Sequence, residues 1–365
     1  MNARETRGRF CTADGWLDGV CRHDERVLAL EADEVEPHAP RFLPAPLDLH
    51  VHGGGGHDAM DDEAALRGML RASARGGTGA LLATSVTAPF DAIDAFVERV
   101  ERVMATPGEG EATLLGAHLE GPFINPRKLG AQPPHAAPLD LARLEGWLAR
   151  PAVRVVTYAP ELDPDGRVPV LAARHGVRAQ IGHTLCGWAE AHAALAAGAG
   201  VTHLWNAMSG ASHRDGGAAL AALAYADHAE IIPDGVHVER PAFDAARRAI
   251  PGLCGITDAT AAAGMPDGPY RLGPLDVIKR EDRVTLADGT LAGSCLTQRR
   301  AVERLRAWAL DWPDIARLTS ASPARWIGEE TLGDVRVGAR AHWIEIDGDA
   351  PRALWLDGVR RAFDG

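Results

Sequence analysis

Leu47-Asp48-Leu49-His50-Val51-His52-Gly53-Gly54-Gly55-Gly56 alternates apolar and polar residues and then ends in four glycines. Successive side chains of a strand point to opposite faces, so Leu47, Leu49 and Val51 share one face and Asp48, His50 and His52 the other. The glycines let the backbone turn tightly straight after the second histidine. An acid and two histidines on the inward face, with the histidines at the strand's C-terminal end, suit a parallel barrel, because such barrels build their active sites at that end.

Seven further apolar runs follow, beginning at Ala80, Leu114, Val153, Val177, Val201, Ile231 and Leu253. Between them lie stretches of helical period at 61–75, 89–104, 139–149, 187–197 and 241–249. Eight runs with intervening helices predict an α/β protein, a (β/α)8 TIM-like barrel, with a doubly wound open sheet as the alternative. The interval 264–293, rich in Gly, Pro and Asp, reads as an insertion before helices at 296–309 and 313–327. Segments 16–31 and 341–360 are β-prone and broken by Gly and Asp turns, which predicts a small sheet built from both termini. The expected division is 1–46 and 330–365 for that small domain and 47–329 for the barrel.

The chain has 365 residues with 38 basic and 50 acidic side chains, a formal charge of −12. That balance argues against general nucleic-acid binding and against docking on an anionic membrane, both of which need a basic footprint. No apolar run approaches the ~20 residues of a membrane span, and the first residues lack the apolar stretch of a secretory signal. Cys11, Cys21, Cys186, Cys254 and Cys295 form no CxxC pair, so they read as thiols of a reducing cytoplasm. Lys128 and Lys279 are the two lysines, which leaves few candidates for Schiff-base or carboxylated-lysine chemistry.

Other runs end as the first does. Gly116-Ala117-His118-Leu119-Glu120-Gly121-Pro122 places His118 and Glu120 on one face, and Gly-Pro stops the strand. Ile181-Gly182-His183-Thr184 and Thr202-His203-Leu204-Trp205-Asn206 each close an apolar run with a histidine, and Gly255-Ile256-Thr257-Asp258 closes one with a carboxylate. Any one of these suits a surface or core position. Together, His50, His52, Glu120, His183, His203 and Asp258 all fall at strand C-termini of one barrel. Such a His/carboxylate set is what a hydrolytic divalent metal requires, Zn²⁺ first, with Fe²⁺, Co²⁺ or Mn²⁺ equally suited by ligand type.

HLEGPF at 118–123, GHT at 182–184, THLWNAMS at 202–209, DGVHV at 234–238, TDATAAAGMPDG at 257–268 and GTLAGS at 289–294 occur in an order that resembles the N-acetylglucosamine-6-phosphate deacetylase family. This is a branch of the amidohydrolase superfamily, and the resemblance runs from about residue 44 to 346. It implies a (β/α)8-like barrel with a small β-sandwich from both chain ends, and a cytoplasmic homodimer. It also implies hydrolysis of the N-acetyl group of a small amino-sugar phosphate in amino-sugar catabolism or cell-wall recycling. By position, Glu120, His183 and His203 match the family's main metal ligands. His50 and His52 match an HxH pair that supports a second ion in some members, so one or two ions per subunit are implied. Asp258 matches the catalytic acid/base, and Glu120 takes the role of the bridging carboxylated lysine of related amidohydrolases. Ala131, Asn206, Ala207, Arg214, His237 and Leu291-Ala292-Gly293 match residues that contact the sugar phosphate. Arg214 and His237 are implied to hold the phosphate, with Arg214 lent across a dimer interface. Gln132 stands where many members have a histidine that helps polarise the amide carbonyl, and His118 or Gln132 is a candidate to assist the oxyanion. The usual Pro-Gly before the first strand is Pro44-Ala45-Pro46. Alternatives are the galactosamine epimer as substrate, cyclic-amide hydrolysis, and a non-catalytic sugar-phosphate sensor.

Overall fold

The computed structural model describes residues 3–363. Its centre is an eight-stranded parallel sheet: β1 (Leu47–Val51), β2 (Ala80–Ser85), β3 (Thr113–Glu120), β4 (Val153–Tyr158), β5 (Arg178–Ile181), β6 (Gly200–Val201), β7 (His228–Ile231) and β8 (Gly252–Gly255). The strands neighbour one another in sequence order from β1 to β8. The chain just after β8 returns to β1: Val51 bridges Ala259, Asp258 N donates to the His50 carbonyl (2.9 Å) and His52 N to the Ala259 carbonyl (2.8 Å). That seam all but closes the barrel and rules out the open-sheet alternative. It also sets Asp258 beside the two histidines that follow Asp48.

Every residue of β1 and β2 is buried, as expected of parallel strands covered by helices outside and side chains inside. Helices over 63–75, 90–105, 141–148, 188–196 and 240–249 lie where the helical period places them. Two more, Arg167–Arg174 and Ala218–Tyr225, escape a periodicity reading. The first carries a proline inside its first turn, and the second is apolar on every face, so no polar stripe marks a helical period. The interval 264–293 holds a three-stranded antiparallel sheet, 268–272, 275–280 and 283–285, which brings Leu272 and Leu291 over the barrel mouth.

Both termini build a separate seven-stranded sheet. Strand Arg4–Thr12, absent from the sequence expectation, pairs in full register with Gly15–His23. Its Arg and Glu side chains hide the strand from a hydropathy reading, yet Phe10 is fully buried against Phe42 and Trp343. In the C-terminal part, Arg340 and His342 both donate to Asp357, at 2.7 and 3.0 Å. Burial alone would raise the Asp357 carboxyl, but His342 and Arg340 hold it down at about 2. A folded value below the unfolded ~3.9 stabilises the protein above about pH 4, and that contribution is lost as pH falls toward 2. Because the Asp357 side chain is 41% exposed, solvent screening limits it to about 1 kcal/mol. Asp357→Asn should therefore lower stability by about 1 kcal/mol at pH 7, with the difference from wild type shrinking toward pH 2 in urea titrations.

Candidate active site

The predicted residues meet at the C-terminal end of the barrel. Glu120 Oε1 lies 2.9 Å from both His183 Nε2 and His203 Nε2, and those two nitrogens are 3.1 Å apart. Glu120 Oε2 faces the other way, 3.2 Å from His52 Nε2 and 3.5 Å from His50 Nε2. Asp258 Oδ1 completes this second group at 3.3 Å from His52 and 3.6 Å from His50. One buried carboxylate thus presents an oxygen to each of two histidine groups.

The outer ring nitrogens fix what the inner ones do. His183 Nδ1 donates to the Lys128 carbonyl (2.8 Å), His52 Nδ1 to the Thr84 carbonyl (3.2 Å) and His50 Nδ1 to Glu230 Oε2 (3.1 Å). Carbonyl and carboxylate oxygens only accept, so in each neutral ring the Nε2 lone pair points inward, toward other lone pairs. That repulsion calls for positive charge between the donors. The same need appears in the proton affinities. Burial would lower His52, yet Asp258 and Glu120 push it up to about 9. Burial would raise Glu120, but His50 and His183 hold it well below the usual carboxylate range. The donor set and its outer hydrogen bonds therefore fit divalent cations, with the histidine tautomers set as metal ligands require. Glu120/His183/His203 and His50/His52/Asp258 are each close enough to hold one ion.

The backbone supports the same point. His183, His203 and Asp258 adopt positive φ, at 47°, 29° and 50°, a region that L-residues rarely occupy and that costs on the order of 1–3 kcal/mol each. The turn after each strand aims its side chain over the barrel mouth, and the surrounding packing holds the strain in place.

A cavity of about 250 Å³ opens on the cluster, lined among others by His52, Glu120, Gln132, His203, His237 and Asp258. Ala131, His183, Asn206, Ala207, Leu291 and Gly293 also line it, so most of the expected sugar-phosphate residues come together here. Ala292 is fully buried behind the wall, and Arg214 is exposed on a loop outside the cavity. A larger cavity, about 560 Å³, runs between the glycine turn at 53–55 and residues 297–303, and none of the predicted site residues lines it. His237 Nδ1 donates to Asp234 Oδ2 at 2.7 Å. Burial works against charge on this ring, but the Asp234 carboxylate outweighs it and raises His237 above its ordinary value. An imidazole whose affinity for a proton is raised in this way suits an anionic ligand on this wall.

One role read from sequence is revised. His118 does not reach the cavity: its Nδ1 donates to the Leu49 carbonyl (3.0 Å) and its Nε2 accepts from Thr157 Oγ1 (2.7 Å). Burial depresses it to about 4, so it is a neutral interior residue with no free donor for an oxyanion. Gln132 does line the cavity, with its oxygen held by the Thr87 N–H (2.6 Å) and its amide donating to Glu120 Oε2. Sequence reasoning missed Glu230, Asp234 and Glu161. Glu161 accepts from Thr184 Oγ1 (2.5 Å) and Leu185 N (2.7 Å), pinning the turn that follows His183. For Glu230 a signal existed: a lone acid inside the apolar run Ala229-Glu230-Ile231-Ile232.

No family model matches the chain. An N-acetylgalactosamine-6-phosphate deacetylase of Escherichia coli O157:H7 is 35% identical over 370 residues, covering 97% of this chain and 98% of that one. An N-acetylglucosamine-6-phosphate deacetylase of Vibrio furnissii is 34% identical, covering 95% and 91%. Among solved structures, a mutant N-acetyl-D-glucosamine-6-phosphate deacetylase of Mycobacterium smegmatis in complex with N-acetyl-D-glucosamine-6-phosphate superimposes with a TM-score of 0.90. It is 29% identical and covers 99% of both chains.

Proposed function

The chain belongs to the N-acetylglucosamine-6-phosphate deacetylase family of amidohydrolases, and from that premise we propose how its own residues carry out the reaction. The protein hydrolyses the acetamide of N-acetylglucosamine 6-phosphate to glucosamine 6-phosphate and acetate. The observation that carries this reading is the Glu120 carboxylate facing two histidine groups, beneath a cavity that also holds Asp258 and His237.

An amide is a poor electrophile with a poor leaving group, so the site must supply both a strong nucleophile and a proton. Glu120, His183 and His203 would hold one divalent cation, zinc by preference, and His50 and His52 a second beside Asp258. A cation bound there lowers the pKa of water toward ~7 and draws charge from the amide carbonyl. Burial alone would raise the Asp258 carboxyl, but His50, His52 and His203 hold it down at about 2, so it is ionised at neutral pH and free to accept a proton. Asp258 takes the proton of the attacking water as the C–O bond forms, then returns it to the amine nitrogen as the C–N bond breaks. Gln132, fixed by Thr87, orients Glu120 and the acyl end of the pocket. His237 binds the phosphate, and this remote contact orients the sugar for attack.

Arg214 belongs to a neighbouring subunit's site in this proposal. It sits on an exposed loop whose Gly216 carbonyl accepts from Trp188 N (2.9 Å); Trp188 and Tyr225, each 51% exposed, flank His192. A homodimer covering these aromatics would carry Arg214 into the partner's cavity. The small sheet (1–46 with 330–365) and the barrel (47–329) form the two domains. The five free cysteines support a cytoplasmic setting. Among the described residues no helix is long and apolar enough to cross a membrane.

The galactosamine epimer is a second reading, favoured by the Escherichia coli relative. Acetate release should be measured for both phosphorylated epimers and for unphosphorylated N-acetylglucosamine, with metal analysis of the same preparation. Losing the phosphate should cost at least about tenfold in kcat/KM, the worth of one charge-assisted contact. Equal rates with and without it would remove His237 and Arg214 from phosphate binding. A faster galacto epimer would make that the substrate, and tight binding without acetate release would make the protein a sensor.

A further inference from the structure

We propose that Glu230 is a positioning residue for the His50/His52 half of the site, setting the tautomer and basicity of His50 and thereby the affinity for the second cation. The proposal rests on the metal-dependent reading above. Strand β7 contributes none of the residues expected from sequence, yet its Glu230 is fully buried in the barrel interior. Burying an ionised carboxylate is costly unless donors compensate it. Here both oxygens are used: Oε2 accepts from His50 Nδ1 (3.1 Å) and Oε1 from Gln180 Nε2 (2.8 Å).

The consequence falls on His50. Its proton is committed to Glu230, so its Nε2 lone pair faces Glu120 Oε2, Asp258 Oδ1 and His52 Nε2, at 3.5, 3.6 and 3.2 Å. The other histidines of the cluster are held differently. His52 and His183 donate to neutral main-chain carbonyls, and His203 Nδ1 has no partner among the described residues. His50 alone among these four leans on a full negative charge, which raises ring basicity more than a carbonyl does. His118 lies close to the same pair, 3.9 Å from Glu230. Both of its nitrogens are spent on Leu49 and Thr157, so His118 offers no lone pair toward Glu230 and His50, and the trio is not a third cation site.

The test uses full-length protein, treated with chelator and titrated with Zn²⁺ by calorimetry, comparing wild type with Glu230→Gln, His50→Asn and the double variant. Wild type should show two classes of site. Glu230→Gln should weaken one class by about 10- to 100-fold, the usual effect of losing such an outer partner, and leave the Glu120/His183/His203 class unchanged. In the His50→Asn background Glu230→Gln should change zinc binding no further, because its effect runs through that ring. The proposal is overturned by a single class in wild type, by equal weakening of both classes, by no weakening, or by additivity with His50→Asn. Should Glu230→Gln fail to fold, Gln180→Met releases the other oxygen and should weaken the same class by a smaller factor; an unchanged class there would equally overturn it. Acetate release plays no part in this measurement. Zinc binding as described without turnover would sink the catalytic reading and leave the role of Glu230 standing.

Discussion

Asp258→Asn is expected to lower kcat/KM for acetate release by about 10²- to 10⁴-fold, the usual worth of a positioned general acid–base, while the ion at Glu120, His183 and His203 stays bound. The carboxylate sits at the barrel seam, where its own backbone N–H is tied to the His50 carbonyl (2.9 Å) and its φ is 50°. Asparagine has nearly the same shape and keeps those backbone constraints, so the change isolates proton transfer. Steady-state acetate release and metal analysis on one preparation check it. Near-full turnover with the ion bound would show that another group moves the proton.

Glu120→Gln should have the larger consequence, because this side chain faces both histidine groups. Replacing it removes the one negative charge shared by all four rings and places an amide N–H₂ against their inward lone pairs. Metal content should fall well below that of wild type, and turnover by about 10³-fold or more, since bound metal supplies several kcal/mol of transition-state stabilisation. Inductively coupled plasma analysis and acetate release on the same sample give both numbers. Full metal content with full activity would mean that Glu120 is not the bridge.

Much of this was readable before any coordinates. The apolar runs locate all eight barrel strands to within three residues, because strands buried on both faces must be apolar along their length. The histidines and acids that cluster at the barrel mouth are legible because each interrupts or ends such a run. Strand Arg4–Thr12 was hidden by its exposed arginines and glutamate. The sheet within 264–293 was hidden by turn residues that read as loop.

The sequence by itself determined that a strand ends in His50 and His52 and that another ends in Glu120. These are local facts, set by side-chain alternation and by where glycine and proline stop a strand. Tertiary structure alone decided the pairings. His118, two residues from Glu120 on the same strand face, turned out to serve the interior. Glu230, unremarked on a strand 180 positions from His50, turned out to hold its ring. Which buried polar group meets which depends on barrel closure, and closure is fixed by packing between distant segments that leaves no periodic mark along the chain.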